Sequence, residues 1–228
     1  MTNTKFLMRG PSLLSIVIVL VLLQGCTSFT IPVRQDSIVF QKREDKIRLN
    51  VGLFLTKEVR NYVITGRHGG ADYNFQVGEA LEQNALASLK EIFQAVYVIP
   101  TQNDVIPDTD RIISIKFGPS SSFKHGAVDW ASEHTATTEL LCEVYNDKWN
   151  LLWDAVSLGT ETRKVGAKRA VGGLLTTPIG ATYLFNKKYG EIFNKSLVQA
   201  LEKLNDEILT SGRDAILYGE DRQHLRQL

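Results

Sequence analysis

Two alternating segments, TATTELLCEVYN (135–146) and NLLWDAVSLGTE (150–161), decide the fold class. In each segment apolar residues recur at every second position, which is the period of a β-strand with one buried face. Only Asp147, Lys148 and Trp149 separate the two runs, so the sequence predicts a long β-hairpin. A sheet that buries one face needs a second layer, which the rest of the chain must supply.

The segments before the hairpin predict three more strands and a helix. Alternation in IRLNVGLFLT (47–56) predicts one strand, and AVYVI (95–99) and RIISIKF (111–117) predict two others. Apolar residues at helical spacing predict a helix over 77–94.

The remaining patterns complete the predicted fold. We expect a loop at GRHGGADYNF (66–75), which contains three glycines, and a loop or an irregular edge at the polar segment 120–134. The strongest helical pattern covers 189–209 and ends near Gly212. The order β-α-β-β-β-α predicts an α+β fold with a mostly antiparallel four- to five-stranded sheet. Its two main helices are expected on one face of that sheet.

The first 26 residues have the pattern of an export signal. Lys5 and Arg9 precede an apolar run at 13–23, which is shorter than the roughly 20 residues of a bilayer-spanning helix. The run ends in LQGC (23–26), which resembles the lipobox of bacterial lipoproteins. That resemblance implies cleavage before Cys26, a diacylglycerol thioether on its thiol, and stable attachment by two or three acyl chains. An uncleaved N-terminal anchor is the alternative.

The lipobox also sets the expected location and domain boundaries. Thr27 rather than Asp follows the cysteine, which resembles the outer-membrane export signal of enteric-type bacteria. We therefore expect a lipid-anchored outer-membrane protein whose domain faces the periplasm. The predicted parts are a signal peptide (1–25), a lipidated N-terminus and tether (26–46), one α+β domain (47–211) and a charged C-terminal tail (212–228).

Composition and motif content favour binding over catalysis. The chain has 26 basic and 25 acidic residues, so it lacks the basic excess typical of nucleic-acid binding. Walker-type loops, G-x-S-x-G, H-E-x-x-H and C-x-x-C are all missing from the sequence, and we expect no enzyme activity, cofactor or metal. A zinc site from His125 and His134 is a minor alternative to solvated loop histidines. With Cys26 lipidated, Cys142 has no disulfide partner and is predicted to be a small buried hydrophobe.

The segment GAKRAVGGLLTTPIGATYLFNKKYG (166–190) is unusual because small and apolar residues lie between two basic flanks. Its glycines and proline disfavour an isolated helix. Three interpretations are open: a buried crossover loop, a protein–protein contact, or membrane insertion by a ring of copies. The candidate partner contacts are Gly172, Gly173, Leu174, Leu175 and Ile179.

A second resemblance covers roughly residues 47–209. The phrase YNFQVGEALEQNALASLKEIFQAVYVI (73–99) and the helix FNKSLVQALEKLNDEI (193–208) resemble small periplasmic lipoproteins of the YajG, LptE and CsgG N-domain kind. This implies an auxiliary or scaffold part of an envelope assembly or export complex that binds other envelope proteins. One alternative is a self-assembling ring or secretion pore with 166–190 as its oligomer or membrane contact. Another is a lipid-anchored hydrolase or ligand-binding module, which would need a polar pocket.

Overall fold

The computed structural model describes residues 28–34, 40, 42, 44–68, 71–102, 104, 108–127, 132–164 and 178–225, with side chains in the two C-terminal helices from 185 to 219. The strands are β1 (Ser28–Pro32), β2 (Ile47–Phe54), β3 (Val63–His68), β4 (Ala71–Gln76), β5 (Phe93–Ile99), β6 (Arg111–Phe117), β7 (Ser122–Lys124), β8 (Glu133–Asn146) and β9 (Leu151–Lys164). The helices are α1 (Lys57–Arg60), α2 (Gly78–Lys90), α3 (Pro178–Leu209) and α4 (Arg213–Leu225). The α+β class predicted from the sequence is confirmed.

The predicted hairpin is the largest feature of the six-stranded sheet. β8 and β9 pair antiparallel from Glu133 with Lys164 at one end to the turn at the other. In the turn, Asn146 Oδ1 accepts hydrogen bonds from the backbone N–H groups of Lys148 and Asn150, at 3.0 and 2.8 Å. Trp149 takes a positive φ of 62°, which lets the chain reverse without a glycine.

The centre of this sheet is parallel, which corrects the mostly antiparallel prediction. β2 lies between β5 and β6 and runs parallel to both, and β6 then pairs antiparallel with β8. β9 pairs along one edge of β8, and the other edge pairs with β6 at Leu140–Asn146 and with β7 at Thr135–Thr137, which makes six strands. The parallel order arises because α2 carries the chain back along the sheet before β5, as a crossover connection does.

A second, three-stranded sheet replaces two predicted irregular segments. Its order is β1-β4-β3, with β1 parallel to β4 and β3 antiparallel to β4. Part of the expected tether (26–46) is therefore strand β1, whose Ile31 is fully buried. Most of the expected loop at 66–75 lies in β3 and β4, where alternate residues Tyr73 and Phe75 are buried.

The segment 120–134, expected to be a loop or an irregular edge, contains the short strand β7. β7 pairs antiparallel with the beginning of β8, and Phe123 lies opposite Ala136. Both side chains are buried, so this short strand extends the core. The ring of Phe123 stacks on Phe75 of the smaller sheet with centroids 4.5 Å apart, and this contact joins the two sheets.

The helices begin and end differently from their predicted bounds. α3 starts at Pro178, eleven residues before the predicted start, which corrects the loop interpretation of 166–190 for its last thirteen residues. Proline is well tolerated in a first helical turn because that N–H has no helical acceptor. α4 occupies most of the expected charged tail, and its Ile216 is buried. No described helix combines the length and apolarity that a bilayer crossing requires.

The core is one apolar cluster shared by both sheets, α2 and α3. Polar bonds within it join particular elements. The buried amide of Asn84 on α2 donates to Asn194 Oδ1 on α3 at 2.8 Å. The hydroxyl groups of Thr138 on β8 and Ser196 on α3 share a buried hydrogen bond of 2.7 Å. These bonds fix α3 against both α2 and the sheet, since unmaking them would leave buried polar groups unsatisfied.

Candidate functional site

Three of the four histidines meet at one end of the fold, although they are scattered in the sequence. His68 is the last residue of β3, His125 follows β7, and His134 is the second residue of β8. The rings of His68 and His125 stack with centroids 5.1 Å apart, and His125 meets His134 edge to face at 5.7 Å. Chain topology, not sequence spacing, brings them together.

Two tyrosines complete this group, which we call the histidine–tyrosine cluster. Tyr73 on β4 lies 4.5 Å from His125, and Tyr189 on α3 lies 4.9 Å from both His125 and His134, measured between ring centroids. The cluster therefore joins both sheets and α3. Offset and edge-to-face ring contacts of this kind contribute about 0.5–1.5 kcal/mol each beyond area burial.

The geometry of the cluster is that of a packing group. His134 is fully buried, and its Nδ1 accepts a hydrogen bond from the backbone N–H of Gly126 at 3.3 Å. An uncharged ring in this orientation carries its proton on Nε2. Within the described part of the chain, no three His, Cys, Asp or Glu side chains are arranged to hold a metal ion.

The side of the β8–β9 hairpin that faces away from α3 carries an exposed apolar row. Its members are Leu141 on β8, Val156 directly opposite on β9, and Leu158 two residues further along β9. Val156 is 59% exposed and Leu158 is 44% exposed, whereas Leu141 is half-buried. We call these three residues the outer row. Hydrophobic side chains grouped on an open sheet face are a feature of interaction surfaces.

A polar group borders the outer row on the same face. Lys116 Nζ on β6 pairs with Glu143 Oε1 on β8 at 3.2 Å, and Tyr145 Oη donates to Glu143 Oε2 at 3.1 Å. Partial burial, and then the hydrogen bond to Glu143, raise the pKa of the Tyr145 phenol. The apolar row thus ends at a hydrogen-bonded polar patch.

A cavity of about 270 Å³ lies between β1 and the N-terminal half of α3. Its lining residues are Thr30, Pro32, Arg34, Asn186, Lys187, Gly190 and Glu191. A Cβ atom at Gly190 would lie 2.9 Å from the carbonyl oxygen of Pro32, so glycine permits this close approach of α3 to β1. The cavity is slightly smaller than the roughly 300–1,000 Å³ of typical small-molecule sites.

The sequence-predicted site residues fall on different parts of the chain. Those outside the described residues are Cys26, Gly172, Gly173, Leu174 and Leu175. Ile179 lies in the first turn of α3, where the structure describes the backbone alone. The prediction for Cys142 is confirmed: its side chain is 1% exposed, and burial raises the pKa of its thiol far above the ordinary value.

Sequence reasoning missed both the histidine–tyrosine cluster and the outer row. One signal was available for His134, because the alternation of buried residues in β8 continues back through Thr138 and Ala136 to His134. Extending that period by one step places His134 on the core face. For Val156 and Leu158, the same alternation predicted a strand but not which of its faces α3 would cover.

Among comparisons with known proteins, only those with solved structures find matches. No protein-family model matches the sequence, and no curated protein matches it. A protein from Xanthomonas campestris described under the family model DUF330 aligns with a TM-score of 0.47 and 15% identity, over 83% of this chain and 98% of that one. A minor lipoprotein from Acinetobacter baumannii aligns with a TM-score of 0.41 and 10% identity, over 72% and 92%. A PelC dodecamer from Paraburkholderia phytofirmans gives 0.33 and 15%, over 71% and 94%. With TM-scores below 0.5, these similarities assign neither a family nor a function.

Proposed function

We propose that this chain is a lipid-anchored lipoprotein of the bacterial outer membrane that works by binding other envelope proteins. Its role would be that of a scaffold or auxiliary component in an assembly or export complex, without catalysis. The observation that carries the binding role is the outer row, in which Val156 and Leu158 are 59% and 44% exposed. The lipobox-like LQGC at 23–26 supports the anchor.

The anchor follows from thioether chemistry at Cys26. A single acyl chain holds a protein to a bilayer only marginally, at about 0.8 kcal/mol per buried methylene, whereas two or three chains hold it stably. Because such attachment is apolar, it survives about 1 M salt, where electrostatic attraction between exposed charges extends over only about 3 Å. Flotation with vesicles at that salt concentration tests the anchor directly.

Replacing Cys26 by Ser separates lipidation from other membrane attachment. The variant should accumulate as an unprocessed, signal-bearing precursor at the inner membrane. Mature-size protein of this variant in the outer membrane would contradict the lipobox interpretation.

The partner surface is tested by the double variant Val156→Asp/Leu158→Asp. Two buried carboxylates without partners are costly at an apolar contact, so we expect the mild-detergent complex to fall to the mass of the monomer. Val63→Asp is the matched control, because Val63 is 41% exposed on β3 of the other sheet. An unchanged native mass in a folded double variant would contradict binding through the outer row.

The mass and composition of that complex decide between two kinds of partner. Other envelope proteins in the complex would support the scaffold role. A complex of this chain alone would support the alternative, a self-assembling ring or secretion-pore subunit. If circular dichroism shows that the Asp variant is unfolded, Val156→Thr/Leu158→Thr repeats the test with residues that suit a strand.

A further inference from the structure

Strand β1 begins almost immediately after the lipobox cysteine. Ser28, its first residue, is two residues after Cys26 in the sequence. Since an extended chain spans at most about 3.6 Å per residue, the two Cα atoms lie within about 7 Å of each other. A lipid on Cys26 would therefore attach directly to a sheet of the folded domain.

The register of the strands shows which end of the domain lies beside Cys26. Ser28 pairs with Asp72 at the beginning of β4, and Asp72 also pairs with the exposed Arg67 near the end of β3. His68 at the end of β3 stacks on His125, which in turn contacts His134 beside Glu133. The free end of the β8–β9 hairpin therefore lies at this same end, which we call the proximal end: Ser28, Arg67, Asp72, Glu133 and Lys164.

The first turns of helix α3 also lie at the proximal end. Lys203 Nζ donates to the carbonyl oxygen of Leu158, and Gln199 Oε1 accepts from the backbone N–H of Thr160, so α3 runs antiparallel to β9. Tyr189 reaches the level of the histidine–tyrosine cluster. The eleven residues before it, from Pro178 to Lys188, continue past the cluster toward the proximal end for about 16 Å, at 1.5 Å per residue.

We infer that the proximal end is a membrane-contact surface that rests on phospholipid headgroups, with the first turns of α3 at headgroup level. This inference rests on the proposed lipidation of Cys26. β8 and β9 then point away from the bilayer, and their turn at Lys148 stands about 45 Å from it, at 3.3 Å per residue.

The charged side chains of the proximal end contribute little to membrane binding, so the lipid anchor must hold this surface at the membrane. Arg67 pairs with Asp72 at 3.7 Å, and Lys164 pairs with Glu133 at 3.9 Å. All four side chains are more than 45% exposed, so these pairs are screened and nearly cancel. The short connection from Cys26 to Ser28 is what holds this face to the lipid.

The test uses the full-length lipidated protein in phosphatidylethanolamine–phosphatidylglycerol vesicles that contain a nitroxide-headgroup lipid. A fluorophore is attached at Arg67→Cys near the end of β3 or, as the control, at Lys148→Cys in the β8–β9 turn, which is also an exposed basic residue. Buried Cys142 does not compete for the label. We expect the nitroxide headgroups to quench the fluorophore at position 67 but not the one at position 148. Equal emission at the two positions, or loss at 148 alone, would overturn the inference.

A second variant tests whether the short connection is the cause. An insertion of about 20 Gly/Ser residues after Thr27 has a root-mean-square reach of about 25 Å. Emission at position 67 should then recover, while flotation with the vesicles stays complete. Persistent quenching would overturn the inference. Failure of the wild-type protein to float would instead refute the proposed lipid anchor, so the two failures are distinct.

Discussion

Gly159 on β9 permits a close contact with α3, and replacing it by Ala tests how tightly these two elements are packed. A Cβ atom at this position would lie 1.9 Å from the carbonyl oxygen of Ser196 and 2.6 Å from the backbone nitrogen of Ala200. Both atoms belong to the helix backbone, so no side-chain rotation relieves the clash. Either α3 or β9 must move.

The size of the effect follows from what that movement disturbs. Overpacking by one methyl group typically costs about 1–3 kcal/mol. Two hydrogen bonds beside Gly159, from the backbone N–H of Thr160 to Gln199 Oε1 and from Lys203 Nζ to the carbonyl oxygen of Leu158, would lengthen as the elements separate, each worth about 0.5–1.5 kcal/mol. Replacing a strand glycine returns about 0.5–1 kcal/mol. We expect a net loss of about 2–3 kcal/mol in the free energy of unfolding.

Equilibrium urea unfolding followed by tryptophan fluorescence measures this loss. In thermal unfolding, the same loss should lower Tm by about 5–10 °C. Gly66→Ala on β3 is the matched control, because its Cβ atom would have no neighbour closer than 3.5 Å. That variant should be unchanged or slightly more stable. If Gly159→Ala is as stable as Gly66→Ala, the close packing of α3 on β9 is wrong.

Two further variants test the core. Asn84→Ala removes the buried donor to Asn194 Oδ1, so the remaining amide loses its partner. In urea unfolding this variant should lose about 1–3 kcal/mol in the free energy of unfolding. A loss below about 0.5 kcal/mol would contradict a hydrogen bond between α2 and α3. Burial raises the pKa of the Cys142 thiol, so the unfolded thiol ionises near pH 8.5 while the folded one stays protonated. Its contribution to stability is therefore complete below about pH 8.5 and falls by up to about 1.4 kcal/mol per pH unit above it. Cys142→Ala should flatten this dependence, and an equally steep fall in that variant would refute the assignment.

The sequence predicted those elements whose apolar pattern is strong and local. β6 was predicted at 111–117 and is found from Arg111 to Phe117, and the β8–β9 hairpin was predicted with its turn. Both have regular alternation over at least seven residues. The parallel pairing of β2 with β5 and β6 was not predicted, because alternation shows which face of a strand is buried but not which strand lies beside it.

The three-stranded sheet was missed because its stability is not local. Residues 66–75 combine glycines with polar positions, so their own pattern favours a loop. In the folded chain, β4 gains backbone partners on both sides, and Phe75 packs between Phe123 and Phe193. His68 and Tyr73 of the histidine–tyrosine cluster depend on the same pairing, so the sequence did not predict the cluster as a whole.

The proposed orientation also sets the height of the outer row above the membrane, and this height distinguishes the two kinds of partner. Leu158 and Val156 lie six and eight residues along β9 from Lys164 at the proximal end, or about 20 and 26 Å at 3.3 Å per residue. A membrane-fixed partner must therefore meet this domain sideways, at that height.

The Gly/Ser insertion after Thr27 lets the domain rise by about 25 Å and should weaken such a complex, because the two surfaces are no longer held level. A ring of identical copies would carry the insertion in every subunit, so its surfaces would stay level. Native mass of the insertion variant thus separates the proposals: a fall to monomer supports a membrane-fixed partner, and an unchanged homo-oligomer supports the ring.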